Sequence, residues 1–200
     1  MTAEILRALD PELEASLAEQ DEPQLTPDEY KDVFRRHPAG VAVVALVDTA
    51  PEPEDGRDSF EGVDGPGRLV GFTATSVISV SAEPPLLAFS LASTSSSWPA
   101  VSRARTLAIS FLSGSQDDVS ARFATHGIDR FAAGGWTALD TGEPVIDGAV
   151  SWVRGRVVQR TPVGGSYLIS VRALSHGTHD VTPLVYHDRT YHQIGEDYSI

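Results

Sequence analysis

Short runs of β-branched and apolar residues, separated by turn-forming residues, recur along this sequence and constrain its fold more than any other feature. The run at 41–47 (VAVVALV) is apolar throughout, which predicts a strand buried on both faces. The same character predicts further strands at 68–72, 77–81, 86–91, 106–112, 149–160, 167–175 and 185–194. Many short strands and few helices favour a mainly β domain with short helices, built as a barrel or a sandwich.

Short helices are predicted at three places. Thr26, Pro27 and Glu29 form a capping box with proline at the first helical position, so a helix should begin there and end at His37. Two further short helices are predicted at 98–103 and at 115–125, the second with Ser115 as its N-cap.

The chain is expected to hold one domain, at 26–200, with two appendages. At 1–25, Ile5 and four leucines recur at three- and four-residue steps between acidic residues, which predicts an amphipathic helical arm. We expect this arm to pack on its own subunit or on a dimer partner rather than on a foreign protein. The segment 48–67 is rich in Pro, Gly, Asp and Glu, which predicts a solvated acidic insertion loop, either disordered or serving as a lid.

Charge and cysteine content exclude several classes of function. The chain has 28 acidic and 15 basic residues, a formal net charge of -13, so a nucleic acid would be repelled. Cysteine is absent, which removes disulfides, thiolate nucleophiles, iron-sulfur clusters and cysteine-type zinc sites. No apolar run approaches about 18 residues, so we expect no membrane span and a soluble, cytoplasmic protein.

Conventional catalytic signatures are also missing from the sequence. It contains no phosphate-binding G-x-x-x-x-G-K-[ST] loop, no G-x-G-x-x-G after a strand, no G-x-S-x-G elbow and no H-E-x-x-H. His176 and His179, and His187 and His192, are spaced closely enough to suggest a metal site. Because no carboxylate accompanies them at helical spacing, we expect surface or hairpin histidines and no metal.

The segment 71–85 (GFTATSVISVSAEPP) crowds hydroxyl groups into and beside a predicted strand. Its hydroxyl residues are Thr73, Thr75, Ser76, Ser79 and Ser81. A flavin ring would explain them, because its pyrimidine edge presents carbonyls and an N–H that backbone groups and short hydroxyls can match. A serine- and threonine-rich edge strand facing water would explain them equally well.

A second hydroxyl cluster, at 93–97 (STSSS), immediately precedes the predicted helix at 98–103. Serines before a helix N-terminus can bind a phosphate through hydroxyls and free backbone N–H groups. Ordinary N-capping is the alternative, although it needs only one serine. Arg122, near the end of the next predicted helix, could add a permanent positive charge to a phosphate site or could be a surface arginine.

Taken in order, several segments resemble the flavin reductase family, whose fold is the FMN-binding split β-barrel of Greek-key type. The family includes the reductase components of two-component flavin-dependent monooxygenases. The resemblance runs from about residue 30 to 194. It is carried by FRRHPAGVAVVALV, GFTATSVISVSAEPPLLAFSLASTSSSWPAV, LAISFLS, QDDVSARFA, DRFAAGGW, TGEPVIDGAVSWVRGRVV and PLVYHDRTYHQI.

The resemblance implies a homodimer with FMN, or FAD, in grooves at the subunit interface. The flavin ring would be held by Thr73, Ala74, Thr75 and Ser76, together with Ser79 or Ser81. The phosphate would meet Ser95, Ser96, Ser97 and Arg122. Backbone around Ser110, Leu112 and Ser113 would line the other side of the flavin, and His187 and Tyr191 would lie near the approaching nicotinamide.

The resemblance further implies an NAD(P)H-dependent flavin reductase that supplies reduced flavin to a partner monooxygenase. Hydride would pass from nicotinamide C4 to flavin N5 by positioning alone, with no catalytic acid or base. Family members often carry Gly-Asp-His before the penultimate long strand, whereas this chain has Gly164, Gly165 and Ser166. That difference favours a second reading, in which the chain is an FMN-binding electron-transfer flavoprotein with little nicotinamide oxidation. A third reading is pyridoxine phosphate oxidation or haem binding, which occur on the related split barrel.

Overall fold

The structure is a computed structural model that describes residues 23–49 and 67–194. The arm predicted at 1–25 therefore lies almost wholly outside the described residues. Of the predicted insertion loop, only Asp48, Thr49 and Gly67 are described. No helix within the described ranges has both the length and the apolar character needed to cross a membrane.

Strands predominate over helices in the described chain. The helices are α1 Pro27–Arg35, α2 Trp98–Arg103 and α3 Asp117–Ala124. The strands are β1 Ala39–Gly40, β2 Ala42–Asp48, β3 Arg68–Ala74, β4 Ile78–Ser81, β5 Leu86–Ala92, β6 Thr106–Phe111, β7 Trp136–Ala138, β8 Pro144–Ile146, β9 Ser151–Val163, β10 Ser166–Thr178, β11 Leu184–His187 and β12 Thr190–Gln193. The predicted mainly β fold with short helices is confirmed.

Seven strands form the main sheet, in the order β3-β2-β6-β9-β10-β5-β4 with antiparallel neighbours. The strands β3 and β4 are consecutive in the chain, yet they form the two opposite edges of this sheet. Only a short connection at 75–77 joins the two edges, so the sheet must curl until they approach each other. Two small sheets, β1-β11-β12 and β7-β8, accompany it.

Strand β2 separates two hydrophobic cores because its side chains alternate between them. Ala42, Val44 and Leu46 belong to a core that includes Trp98 and Val101 of α2, and we call it the α2 core. Val43 and Ala45, with Val41 just before the strand, belong to a core that includes Phe123 of α3, the α3 core. Burial on both faces confirms the interpretation of the uninterrupted apolar run. Helices α2 and α3 therefore lie on opposite faces of β2.

The capping box predicted at Thr26 is present. The Thr26 backbone N–H and hydroxyl both donate to Glu29 Oε2, at 2.9 and 2.7 Å, and the Glu29 N–H donates to Thr26 Oγ1 at 3.3 Å. These bonds satisfy backbone groups that a helix N-terminus otherwise leaves free. Helix α1 begins at Pro27 as expected and ends at Arg35, two residues before the predicted end.

The single strand predicted at 185–194 is wrong, because the structure forms the hairpin β11–β12 there. Asp188 and Arg189 make the turn with φ of 45° and 63°, in the left-handed region that favours glycine and asparagine. The sequence carries neither residue at the turn, so the usual hairpin signal is absent.

The predicted N-cap of α3 is also wrong. The helix begins at Asp117, with Gln116 as the N-cap residue and no side-chain capping bond. The Gln116 side chain bonds elsewhere: its Oε1 accepts from the Ser113 N–H at 2.9 Å, and its Nε2 donates to the Asp147 carbonyl at 2.7 Å. These contacts tie the start of α3 to the end of β6 and to the loop after β8.

The sequence analysis placed Asp48 at the start of the insertion loop, but in the structure Asp48 is the last residue of β2. It is 7% exposed, and Arg103 at the end of α2 donates to both of its carboxylate oxygens, at 3.1 and 2.8 Å. Arg160 of β9 donates to the carbonyls of Val101 and Ala104 at the same end of α2. Together these bonds hold α2 in place and, with it, the hydroxyl cluster that precedes it.

Candidate functional site

The predicted site residues fall into two groups. Thr73, Ser110, Leu112, Ser113, Arg122, His187 and Tyr191 lie around α3 and the β11–β12 hairpin, and we call them the α3 group. Ala74, Ser76, Ser79, Ser81, Ser95, Ser96 and Ser97 lie around β4, β5 and α2, and we call them the α2 group. Thr75 lies in the connection between the two sheet edges.

In the α3 group, Ser120 brings Thr73 and Tyr191 together. The Thr73 hydroxyl donates to the Ser120 carbonyl at 2.7 Å, and the Tyr191 hydroxyl donates to Ser120 Oγ at 2.9 Å. Ser120 is 1% exposed, and the sequence analysis missed it. Its spacing of three residues from Phe123 places it on the buried face of α3, the only signal that could have identified it.

The predicted contacts at 110–113 are already bonded within the chain. Ser110 lies in the same cross-strand row as Thr73, with Val43 between them, which separates the two residues by about 10 Å. Its buried hydroxyl accepts from the Ile146 N–H at 3.0 Å. The Leu112 N–H donates to the Val41 carbonyl, and the Leu112 carbonyl accepts from the Leu184 N–H. The Ser113 N–H donates to the Gln116 side chain. Their predicted contact with the flavin stays a prediction.

Arg122 carries a buried donor that the described chain leaves unsatisfied. Its Nη2 donates to the Gly134 carbonyl at 3.2 Å, whereas its Nε, also buried, has no hydrogen-bond partner among the described residues. A buried donor without a partner costs about 1–3 kcal/mol. An anionic oxygen would satisfy this N–H, so the arginine fits a phosphate-bearing ligand.

In the α2 group, the Ser76 hydroxyl has a structural role. It donates to the Ser90 carbonyl at 3.2 Å and accepts from the Ser90 N–H at 3.0 Å, which joins the β3–β4 connection to β5. Ser79 is exposed and Ser81 half-buried on the edge strand β4. Thr75 is exposed, and within the described ranges its hydroxyl has no partner.

The hydroxyl cluster before α2 is anchored at both ends. Ser93 donates to the Gly165 carbonyl through its N–H and its hydroxyl, both at 3.0 Å, which ties the cluster to the β9–β10 turn. The Ser97 N–H donates to Ser95 Oγ at 3.3 Å, and Ser97 is only 2% exposed with no side-chain capping bond. Of the three serines predicted to meet the phosphate, Ser96 is exposed, Ser95 half-buried and Ser97 buried.

The predicted phosphate contacts come from two different helices of the chain. Arg122 lies on α3, and Ser95, Ser96 and Ser97 lie at the start of α2. These two helices pack into different cores, on opposite faces of β2.

A cavity of about 580 Å³ lies at the opposite end of β3 from Thr73. Asp48, Arg103, Arg105, Trp136 and Glu143 are among its lining residues. The register that pairs Asp48 with Arg68 and Ala42 with Ala74 puts this cavity about 20 Å from the hydroxyl segment. The cavity is therefore separate from the hydroxyl segment around Thr73.

Glu143, at this cavity, keeps its charge down to acidic pH. Burial acts to raise the pKa of its carboxyl, but hydrogen bonds from Arg154, Thr106 and Thr141 outweigh burial and lower the pKa to about 2. Arg154 Nε donates to Glu143 Oε2 at 2.9 Å. The pair ties the loop before β8 to β9.

Glu143→Gln should lower the free energy of unfolding by roughly 2 kcal/mol near neutral pH, because Arg154 loses a charged hydrogen-bond partner. A carboxyl whose pKa falls on folding stabilises the folded state at pH values above its ordinary pKa of 4.5. This stabilisation is lost as the pH falls towards the folded-state pKa of about 2. Urea unfolding at a series of pH values should therefore show the wild type and the variant converging across that window. A gap that stays constant from pH 7 to pH 2 would contradict the assignment.

The two closely spaced histidine pairs have no third metal-ligating side chain beside them among the described residues. The rings of His187 and His192 lie 5.8 Å apart, centroid to centroid. In the described ranges, no group of three or more histidine, cysteine or acidic side chains is arranged to hold a metal ion.

Comparison with known proteins gives a consistent match. Residues 34–195 match the family model described as flavin reductase like domain. An NADH:FMN oxidoreductase from Rhodococcus qingshengii is 42% identical over 171 residues, which cover 82% of this chain and 80% of the relative. A crystal structure of a flavin reductase domain protein from Arthrobacter sp. FB24 superposes with a TM-score of 0.72 at 30% identity, covering 88% of this chain and all of that one. The styrene monooxygenase flavin reductase from Pseudomonas putida S12 shares the fold, with a TM-score of 0.68 at 23% identity over 84% of this chain and 99% of that one.

Proposed function

The chain belongs to the flavin reductase-like family, and from this premise we propose that it is a flavin reductase that uses NADH to reduce FMN. The observation that carries the proposal is the 42% identity to the Rhodococcus NADH:FMN oxidoreductase over most of both chains. Purified protein should oxidise NADH at a rate that depends on added FMN. A basal rate that FMN does not raise would count against the proposal. NADPH as donor, FAD as flavin and a cytoplasmic location remain predictions.

Several hydrogen-bonding groups of this chain are available to a bound flavin. Among the residues that the structure describes, Arg122 has a buried N–H without a hydrogen-bond partner, Thr75 and Ser96 are exposed, and β3 pairs with another strand on one side only. When bound, a flavin supplies an N5 atom that accepts hydride from nicotinamide C4. The chain's task is to bind and orient the two rings, and positioning of this kind accelerates a reaction without an acid or a base.

We further propose a homodimer in which each flavin contacts both chains. The supporting observation is that α3, which carries Arg122, and α2, which Ser96 precedes, pack into cores on opposite faces of β2, so we expect the arginine that meets the serines to come from a second copy. Ile78 and Val80 on the edge strand β4 are more than half exposed, an apolar surface that a partner chain would cover. Mixed dimers of Arg122→Ala and Ser96→Ala chains should then regain one site of wild-type FMN affinity.

We propose a flavin-dependent monooxygenase as the partner that consumes the reduced flavin. The family resemblance supports this role, and no residue of the described chain identifies which oxygenase it is. The alternative of an electron-transfer flavoprotein is favoured by Ser166, which occupies the position of the family's frequent histidine, and by the Tyr191 hydroxyl, whose proton is already donated to Ser120.

Ser96→Ala should weaken FMN binding about 10-fold or more, because a hydrogen bond to a charged phosphate contributes about 1.5–3 kcal/mol. Riboflavin lacks the phosphate, so its affinity should not change. Fluorescence titration with both ligands measures the difference.

Ser97→Ala is the matched control for this prediction, since the Ser97 side chain is buried beside Ser96. It should change the affinity for FMN and for riboflavin to the same small extent. Equal losses of both ligands in Ser96→Ala would remove the phosphate assignment.

A further inference from the structure

Helix α1 presents an apolar face that no described residue covers. Its large apolar side chains, Tyr30, Val33 and Phe34, are each more than half exposed, and so is Leu25 just before the helix. Their spacing of i, i+3 and i+4 puts the three on one side of α1, and the rings of Tyr30 and Phe34 lie with their centroids 4.7 Å apart. An exposed apolar face of this kind indicates a surface that another segment covers.

The short length of α1 also calls for a covering segment. The helix has nine residues, and the described chain buries none of them. An isolated helix shorter than about 12–15 residues is marginal in water. The capping box supports its N-terminus, and at its C-terminus the Asp188 N–H donates to the Arg35 carbonyl at 3.0 Å. Neither contact involves the apolar face, so the packing of that face has to come from outside the described residues.

The segment 1–22 carries a complementary pattern and is tethered beside α1. Four of its leucines, Leu6, Leu9, Leu13 and Leu17, recur at steps of three and four, the spacing of one helix face. Residues 18–25 separate the last of them from the N-cap of α1. A connection of this length is long enough to join two antiparallel helices. Because the tether is short, the local concentration of the segment at α1 far exceeds that of a separate molecule.

Charge favours an antiparallel arrangement of the two segments. Arg36, at the C-terminal end of α1, and Arg189, in the adjoining β11–β12 turn, form no salt bridge with a described residue. The segment 1–22 contains seven acidic residues and one basic residue. When it runs antiparallel to α1, its middle part, with Asp10 and Glu12, lies level with this basic end. Exposed ion pairs of this kind contribute little stability, but they select between orientations.

We propose that the apolar face of α1 is covered by segment 1–22 of the same chain, packed against it as an antiparallel helix. With Leu17 level with Tyr30, the helical rise of about 1.5 Å per residue puts Leu13 level with Phe34. The two helices then form an αα-hairpin on the domain, with the apolar stripe of one against the apolar face of the other. The inference goes beyond the proposed function and does not depend on flavin binding.

Disulfide trapping in the full chain tests this arrangement, since the chain has no cysteine of its own. Leu13→Cys combined with Val33→Cys should form a disulfide within one chain, because the two side chains face each other. Leu13→Cys combined with Asp32→Cys is the matched control, since Asp32 is exposed away from the apolar face. The first pair should oxidise about 10-fold faster than the control pair, because only its sulfur atoms are held close together. Thiol labelling followed by a non-reducing denaturing gel measures both rates and shows whether the bond lies within one chain.

Two results of the trapping experiment would overturn the inference. Equal oxidation rates for the two pairs would mean that segment 1–22 is tethered near α1 without docking on its apolar face. A disulfide that joins two chains, which doubles the mass on the gel, would assign the face to a second copy instead.

Hydrogen exchange gives an independent measurement that needs no cysteine. Leu13→Glu combined with Leu17→Glu should speed amide exchange in α1 by roughly 10-fold, because the helix opens more often when its cover is lost. Glu14→Gln is the control, since Glu14 lies off the leucine stripe, and it should leave the exchange in α1 unchanged. Unchanged exchange in the leucine variant would overturn the inference as well.

Discussion

Phe123→Ala should lower the free energy of unfolding by about 3–5 kcal/mol, the range for removing a fully buried phenylalanine. Phe123 is 0% exposed and meets the ring of Phe131 edge to face, with centroids 5.0 Å apart and an interplanar angle of 90°. Its ring also fills the space beside Gly71, where an added Cβ would lie 2.8 Å from it. The substitution would leave a cavity between α3 and β3 that neither element can close.

Urea denaturation measures this loss, and Ile128→Ala is the control because Ile128 is 45% exposed in the loop after α3. The control should change stability by less than about 0.5 kcal/mol. A Phe123 effect as small as that of Ile128 would mean that α3 is not packed as described. Since Ser120 and Arg122 lie on the same helix, Phe123→Ala should also weaken FMN binding at temperatures where the protein remains folded.

Gly155→Ala should cost about 3 kcal/mol, at the upper end of the range for overpacking a core. An added Cβ would lie 2.2 Å from Val171 Cγ1 and 3.0 Å from the Arg172 carbonyl oxygen. Valine is stiff at χ1, and a carbonyl inside a sheet cannot move without breaking the ladder, so neither neighbour can yield cheaply. Gly155 occupies β9 between β6 and β10, so the strain falls in the middle of the main sheet.

A double-mutant cycle isolates this clash. Val171→Ala removes the Cγ1 atom, so the pair Gly155→Ala and Val171→Ala should be less destabilised than the sum of the single variants by 1 kcal/mol or more. Gly165→Ala, in the turn that joins β9 and β10, is the control, since an added Cβ there meets nothing within 4 Å. Strict additivity of the two substitutions would contradict the packing of β9 against β10.

Much of the fold could be predicted because its strands and helices leave signals in the local sequence. The apolar run at β2 predicted burial on both faces, and the capping box at Thr26 predicted the start of α1. The β11–β12 turn was missed because Asp188 and Arg189 adopt left-handed conformations without the residues that usually announce them. Asp48 was assigned to a loop because its partner, Arg103, is 55 residues away and no local signal joins the two.

The candidate site was less predictable, since it depends on contacts between distant segments. Hydroxyl-rich sequence identified Thr73 and Ser76 but could not distinguish a hydroxyl bonded within the chain, as in Ser76, from an exposed one, as in Thr75. Ser120 escaped notice because its partners, Thr73 and Tyr191, are 47 and 71 residues away. Sequence order also does not encode that α3, which carries Arg122, and α2, which follows the serines, pack into cores on opposite faces of β2.

Anaerobic stopped-flow absorbance, with FMN bound to the protein and NADH added, tests the flavin reductase proposal most directly. The proposal predicts rapid bleaching of the flavin, with an observed rate that saturates as the NADH concentration rises. A flavin that binds to the protein but is bleached by neither NADH nor NADPH would contradict it and favour the electron-transfer flavoprotein.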